Sequence, residues 1–373
     1  MSTSVEANRV DAAAAVTDIV DDEAGFDELE SIWRELEQGS PDTTPCRRWD
    51  WSRLWWAHYA RACDRPWIIV VRLAGEIVGL CPLYLRDARR TGGRRLRFLA
   101  TGEPEHTEVA SEFLDVLAAP GHRDLVASAA VAAISGGSQW REVELRNVLE
   151  SAAIAASWAF GAAERCGRIR RGLRYTLSLD ESWEDYLSRL APRFRTRVRA
   201  QIRAFDAGQQ ALIEVPEAQR AAVFELMAEL HRRHWQRRGR PGAFHAAVFR
   251  EFHQDLLRRW GPTREALLRT LLAGGDVVGV LYSFRWNRQE AYYQSGLNLD
   301  DRGIRSPGLA CHVGAIRQAR NEACESYDFM LGKADSYKAD YGCTTAPVVD
   351  LGADRRGSAG RLVDRGLARL GRG

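Results

Sequence analysis

No apolar run in these 373 residues approaches the length of a membrane span, and the chain opens on acidic, alanine-rich sequence rather than a signal peptide. Cysteine is scarce and unpatterned: seven residues, an odd number, with no C-x-x-C and no zinc spacing. That argues against a disulfide framework and predicts reduced thiols in a cytoplasmic protein. The eight histidines form no metal pattern either; His231 and His234 stand three apart with no carboxylate between them. Lysine is confined to Lys333 and Lys338, so the positive charge rests on arginine. A net charge of +3 is too small for a dedicated nucleic-acid binder, and DNA is not an expected partner. No Ser/His/Asp arrangement for covalent catalysis is recognisable.

What remains is ordinary for a folded chain of about two domains, with 45% hydrophobic and 28% charged residues. Residues 1–15 are small, polar and aperiodic, and disorder is expected there. Phe26, Leu29, Ile32, Trp33 and Leu36 keep helical spacing. A second helix, 49–61, carries Trp49, Trp51, Trp55 and Trp56, which read as packing against a sheet. Strands are predicted at 67–73, 77–86, 96–100 and 142–146, with a helix at 124–134. The segment AGEIVGL at 74–80 then recurs as GGDVVGV at 274–280, each copy following an apolar strand and turning into another. This echo predicts a duplicated unit, 16–172 and 173–351, before a flexible Gly- and Arg-rich tail at 352–373.

The second copy follows a boundary just before a strand at 175–179 and opens with the segment 183–190 and then a basic helix, 192–205. Phe194, Val198, Ile202 and Phe205 make its apolar stripe, and Arg193, Arg197, Arg199 and Arg203 occupy the rest. Arginine matches phosphate bidentately, so acceptor phosphates or an RNA backbone fit; a solvated face with acidic partners nearby is the alternative. Helices at 217–238 and 246–260 and a strand at 266–272 follow. Two strands, 277–286 and 290–297, then flank the turn 287–289 as a hairpin. A connection at 301–308, a helix at 309–323, a strand at 326–330 and the segment 333–341 complete the stretch. In Arg302-Gly303-Ile304-Arg305-Ser306-Pro307-Gly308, Pro307 suits a first helical position and Ser306 the N-cap. Free N–H groups, glycines and flanking arginines at a helix start suit a phosphate or pyrophosphate. A plain capped helix is the alternative. The first copy has no such turn; its segment 101–107 is acidic.

The hairpin, the R-x-x-x-S-P-G-L turn, the helix, and then Tyr327-Asp328-Phe329, Gly332 and Tyr337-Lys338 resemble the GNAT superfamily of N-acyltransferases. The resemblance is to the branch with two units in tandem, which holds the acetyltransferases of cellulose and exopolysaccharide synthesis and is related to the Fem-type peptidyltransferases. It implies an α/β (α+β) fold of two tandem GNAT-like units, each a mixed, mostly antiparallel central sheet flanked by helices. The first unit would be degenerate and form a wall of the acceptor cleft. The second would bind the acyl carrier through Arg302, Gly303, Ile304, Arg305, Ser306, Pro307 and Gly308, with the thioester between two splayed parallel strands.

Acyl transfer needs a carrier grip, a donor for the developing oxyanion and a proton for the thiolate. Asp328, in an apolar strand, is a candidate general base with a raised pKa, or else the partner of an arginine. Tyr337 is a candidate proton donor to the thiolate, Tyr293 a further catalytic candidate, and Lys338 would steady the oxyanion or the carrier; an exposed Lys–Tyr pair is the alternative. Tyr293, Ser295 and Leu297 should share one strand face, with Tyr292 and Gln294 on the other. Ser295, Arg197 and Arg199 are the substrate-binding candidates. The donor expected is acetyl-CoA or another acyl-CoA, without metal, and the acceptor an amine of a small metabolite, amino sugar or peptide. A Fem-like use of aminoacyl-tRNA is the first alternative, and a non-catalytic binding protein the second.

Overall fold

The computed structural model describes residues 15–40, 42–87, 93–159, 164–300 and 304–355. In chain order the elements are β1 (Ala15–Val20), α1 (Glu23–Glu28), α2 (Glu30–Gly39), α3 (Trp49–Tyr59), β2 (Arg65–Pro66), β3 (Ile68–Leu73), β4 (Glu76–Cys81), β5 (Leu83–Asp87), β6 (Arg94–Phe98) and β7 (Leu117–Ala118). Then come α4 (Arg123–Gly136), β8 (Glu142–Leu149), α5 (Ala153–Ala156), β9 (Glu164–Ser178), α6 (Trp183–Arg189), α7 (Pro192–Asp206), β10 (Gln210–Glu214), α8 (Arg220–Gln236) and α9 (Ala247–Trp260). The chain closes with β11 (Ala266–Ala273), β12 (Asp276–Trp286), β13 (Gln289–Leu297), α10 (Pro307–Asn321), β14 (Ser326–Gly332) and β15 (Thr344–Arg355). Two units result, the first from Met1–Gly102, Ala110–Arg171 and Pro347–Gly373, the second from Glu103–Val109 and Gly172–Ala346.

The expected N-terminal disorder lies outside the described residues except at Ala15, which opens β1. The last strand runs to Arg355, past the point where a tail was expected, and 356–373 lie outside the described residues.

In the first unit β1, β3, β4 and β7 make one antiparallel sheet, while β2, β5, β6, β8 and residues 347–355 of β15 pair in a second. The strand expected over 77–86 is broken at Pro82, which has no N–H to give a ladder, and so serves both sheets as β4 and β5. The tryptophans of α3 are core residues: Trp51 and Trp55 are fully buried, and the Trp51 indole N–H donates to Ser111 Oγ at 2.8 Å. Each such ring removes enough apolar surface from water to contribute about 1.5–3 kcal/mol or more.

The repeated heptapeptide folds twice into one hairpin. Leu73 pairs with Glu76, Val71 with Gly79 and Ile69 with Cys81; in the second unit Ala273 pairs with Asp276, Leu271 with Gly279 and Arg269 with Leu281. A bulge falls on the same rung of each, between Val71 and Arg72 and between Leu271 and Leu272. Both turns place two residues at positive φ, Ala74 and Gly75 in one, Gly274 and Gly275 in the other. Each unit also has a parallel pairing, β6 with β8 and β13 with β14.

The second unit's sheet runs β10-β11-β12-β13-β14-β9, antiparallel but for that one pairing. Helices cover both of its faces. A Cβ on Gly296 would strike Met227 and Leu230 of α8, whereas a Cβ on Gly279 would approach Leu297 and Cys311 of α10. Gly296 and Leu297 are neighbours on β13 and point to opposite faces, so α8 and α10 lie on opposite sides. Val198 of α7, Val313 and Ile316 of α10, and Tyr327 and Phe329 of β14 fill the core under α10. Among the described residues no helix is long and apolar enough to cross a membrane.

Candidate functional site

The parallel ladder between β13 and β14 is short. Gln289 pairs with Ser326, Glu290 with Tyr327 and Ala291 with Asp328, and there it ends. Both strands bulge at that point. On β13 the register shifts opposite Tyr282 and Ser283, so that Tyr292 pairs with Ser283, Gln294 with Tyr282, and Tyr293 is the extra residue. On β14 the shift lies between Asp328 and Leu331, and Met330 sits at φ 63°, a conformation rare for a side chain of its size.

Side chains hold the β14 bulge. Asp328, buried, accepts the Met330 N–H on Oδ1 at 2.7 Å. Its Oδ2 receives Arg174 Nε and Nη2, each at 2.7 Å. Arg174 also donates to Gln289 Oε1 at 3.0 Å, and Gln289 donates to Ser326 Oγ at 2.9 Å. Lys338 Nζ donates to the carbonyls of Phe329 (2.5 Å) and Leu331 (2.6 Å) on either side of Met330. Asp328 therefore has the arginine partner that the sequence offered as an alternative, and Lys338 is a clamp on the strand rather than an exposed ammonium.

The β13 bulge overturns the expected face sharing, because one extra residue inverts the alternation beyond it. Tyr293 lies on the face of α9: its hydroxyl donates to Val109 O at 2.7 Å and meets His253 Nε2 at 2.8 Å. Ser295 instead shares the α10 face with Tyr292, whose hydroxyl lies 3.2 Å from Ser295 Oγ. Tyr292 packs edge-on against His312 of α10, ring centres 4.7 Å apart. His312 is buried, and its Nδ1 lies 3.0 Å from the Tyr327 hydroxyl. Burial, and secondarily the charge of Lys338, depress its pKa to about 3, so the imidazole is neutral. Phe329, Tyr341 and Tyr337 complete the aromatic surround, with Tyr337 53% exposed at its edge. At the foot of β13, burial would raise the Glu290 carboxyl, but Arg269 at 2.5 and 2.9 Å, with Arg285, outweighs it and holds the pKa below its ordinary value.

Arg302 and Gly303 of the expected carrier loop lie outside the described residues. Ile304 is buried in the core, Arg305 is exposed, and Pro307 takes the first helical position. The expected N-cap fails: Ser306 stands at φ −156°, ψ 72°, and its hydroxyl accepts nothing from the helix. The early N–H groups of α10 thus have no side-chain acceptor among the described residues. That state suits an anionic group better than a satisfied cap would.

On α7, Phe194 and Val198 face the core and Arg193, Arg197, Arg199 and Arg203 are exposed. None of the four has a carboxylate partner among the described residues, contrary to the expectation of acidic neighbours. Arg197 lies over the Phe194 ring, which meets Tyr341 at 4.9 Å, so Arg197 borders the aromatic surround. Arg199 follows two residues later, on the other flank of the helix. Sequence reading missed Arg174, Tyr292, His253 and His312. Only His312 left a signal, one turn inside the helix that the turn opens. Among the described residues no grouping of His, Cys, Asp and Glu suits a metal ion.

Residues 192–339 match the family described as an acetyltransferase (GNAT) domain. No curated protein sequence matches the chain. Among solved structures, FemX shares the fold over 91% of this chain and 98% of its own, with a TM-score of 0.60 at 10% identity. A conserved protein of unknown function from Bacteroides thetaiotaomicron covers 91% of this chain and 100% of its own (TM-score 0.52, 10% identity). The C-terminal domain of a putative lysylphosphatidylglycerol synthetase from Agrobacterium fabrum covers 93% and 95% (TM-score 0.51, 11% identity).

Proposed function

We propose that this chain, a member of the GNAT superfamily through its domain at residues 192–339, is an N-acyltransferase that moves an acyl group from acyl-CoA to the amine of a small metabolite, amino sugar or peptide. The observation that carries this reading is the early end of the β13–β14 ladder at Ala291 and Asp328, with the uncapped start of α10 beyond β13. The freed edge of β13 offers backbone N–H groups to a thioester carbonyl, and the start of α10 offers them to a pyrophosphate. Amine attack forms the C–N bond and places charge on the carbonyl oxygen. The C–S bond then breaks, the ammonium loses its proton, and the thiolate takes one. Tyr337, half exposed at the edge of the aromatic surround, is our donor to the thiolate. Both oxygens of Asp328 are engaged, so we assign it and Lys338 to positioning the strand.

We place no second carrier site in the first unit. Past its own short parallel ladder, the N–H groups of Phe113 and Leu114 take Asn147 O at 2.7 and 3.3 Å, and buried Phe113 fills the place. Calorimetry with acetyl-CoA tests the reading. The wild-type protein should bind it, and folded Gly308→Asp should not, because the change adds bulk and like charge at the start of α10. Unchanged affinity in Gly308→Asp would remove the site, and a wild-type protein that ignores acetyl-CoA would remove the donor.

The unpartnered arginines of α7 favour a second reading, in which the donor is an aminoacyl-tRNA. Salt-dependent binding of aminoacyl-tRNA, lost on replacing Arg193 and Arg197 with glutamine, would select it over acyl-CoA.

A further inference from the structure

At the far end of β13 a shallow cleft opens between that strand and the last turn of α8. Leu230, Leu297 and Leu299 line it together with His234, Arg237 and Asp300. Three features set it apart from ordinary surface. Leu299 is 46% exposed, one of few large apolar side chains so placed among the described residues. His234, half-buried, makes no hydrogen bond among the described residues. Arg237 meets Asp300 through Nη2 alone, which reaches both carboxylate oxygens at 2.6 and 2.5 Å.

That last geometry is a poor use of a guanidinium. Arginine binds carboxylate and phosphate best as a fork, two nitrogens to two oxygens, and here Nε and Nη1 take no part. The pair is also solvent-accessible, at 51% and 65%, so little opposes its exchange for a better acceptor. Asp300 is steadied from behind, its N–H donating to Asn298 Oδ1 at 3.2 Å. The neighbouring arginines are occupied: Arg233 pairs with Glu229, and Arg238 lies over Trp235. The helix end itself is fixed by the Trp235 indole, which donates to His231 Nε2 at 2.9 Å.

We propose that this cleft is an anion subsite in which Arg237, with His234 beside it, receives a phosphate or carboxylate group of donor or acceptor, Asp300 standing in for that anion in its absence. The apolar side chains of Leu230 and Leu299 receive the part of the ligand next to the anion. The subsite rests on the acyl-transfer reading only for the source of the anion.

The test uses the full chain with Asp300→Asn and Arg237→Gln, and melting curves should match the wild type because both side chains are exposed. Binding of CoA, of adenosine 3′,5′-bisphosphate and of inorganic pyrophosphate is measured by calorimetry. Removing the stand-in should tighten anion binding about threefold to fivefold, and removing the guanidinium should weaken it about tenfold. Opposite shifts for CoA and the bisphosphate place the carrier's phosphates in the cleft. Opposite shifts for pyrophosphate alone, with CoA unmoved, assign the cleft to an anionic acceptor. If wild type ignores CoA yet pyrophosphate binding shifts, the donor reading fails and the subsite stands. No shift for any of the three, or shifts of the same sign in both variants, overturns the subsite.

Discussion

Arg174 holds Asp328 through two nitrogens, Nε and Nη2, each 2.7 Å from the same carboxylate oxygen, while the other oxygen takes the Met330 N–H. A buried carboxylate held on both oxygens in this way is committed to positioning the strand. Asp328→Asn should therefore act first on stability, lowering it by about 3 kcal/mol as Arg174 loses its counter-charge. Arg174→Gln in the same chain should recover part of that loss, because the two changes share one interaction. Denaturant unfolding of both singles and the double checks the cycle. A stable Asp328→Asn protein with turnover lowered a hundredfold would return Asp328 to the role of base.

Lys338 is one of the chain's few lysines, and its two carbonyl partners explain why arginine does not replace it. A compact ammonium fits between Phe329 O and Leu331 O, whereas a planar fork does not. Lys338→Met should cost about 1.5–3 kcal/mol through the lost charged hydrogen bonds. Lys338→Arg should recover little of this. Unfolding midpoints and single-turnover rates on both variants decide the matter, and full rescue by arginine would contradict the clamp.

Acid should destabilise the protein in a defined window. Burial holds the imidazoles of His231, His253 and His312 below the ordinary 6.5, to about 4 in His231 and about 3 in His312. The unfolded chain binds these protons first, so stability is full above about pH 6.5 and falls as the pH drops towards those values. At about pH 5 the imidazoles of His231 and His312 should each cost about 2 kcal/mol. His312→Gln should shrink the difference in unfolding free energy between about pH 7.5 and pH 5 by that amount. An unchanged difference would mean that His312 is charged in the fold.

The two hairpins should answer differently to the same substitution. A Cβ on Gly79 would lie 2.4 Å from Val126 Cγ2 and 2.7 Å from the backbone oxygen of Leu117. On Gly279 its nearest neighbours would be side-chain ends, Leu297 Cδ2 at 3.1 Å and Cys311 Sγ at 3.3 Å, with the backbone oxygen of Gly296 no nearer than 3.6 Å. Gly79→Ala should cost about 3 kcal/mol, and Gly279→Ala about 1 kcal/mol. Thermal unfolding of the two variants measures both, and equal losses would contradict the packing.

The hairpins were legible in the sequence because turn chemistry is local: the glycines needed at positive φ stand in the chain where the turn stands. The helix start at Pro307 was legible for the same reason. The bulges were not. Nothing in Tyr292-Tyr293-Gln294 marks which tyrosine is the extra residue, since that depends on the partner strand, and the whole assignment of Tyr293 and Ser295 to faces turned on it. The partner of Asp328 was also out of reach, as Arg174 lies 154 positions earlier and meets it only through strand pairing. Ser306 looked like a cap by residue type, but its backbone angles exclude that role.

The segment Glu103–Val109 is encoded in the first half of the chain yet belongs to the second unit, where Val109 O receives the Tyr293 hydroxyl. The two copies are thus interleaved along the gene. No one cut in the coding sequence separates them, and a fragment starting near residue 172 would leave Tyr293 without the strap it binds. A single crossover between related genes at that junction would pair a second unit with a foreign strap. Exchange of the second unit therefore requires two linked segments, which constrains how such a chain is recombined, whether by a laboratory or by a genome.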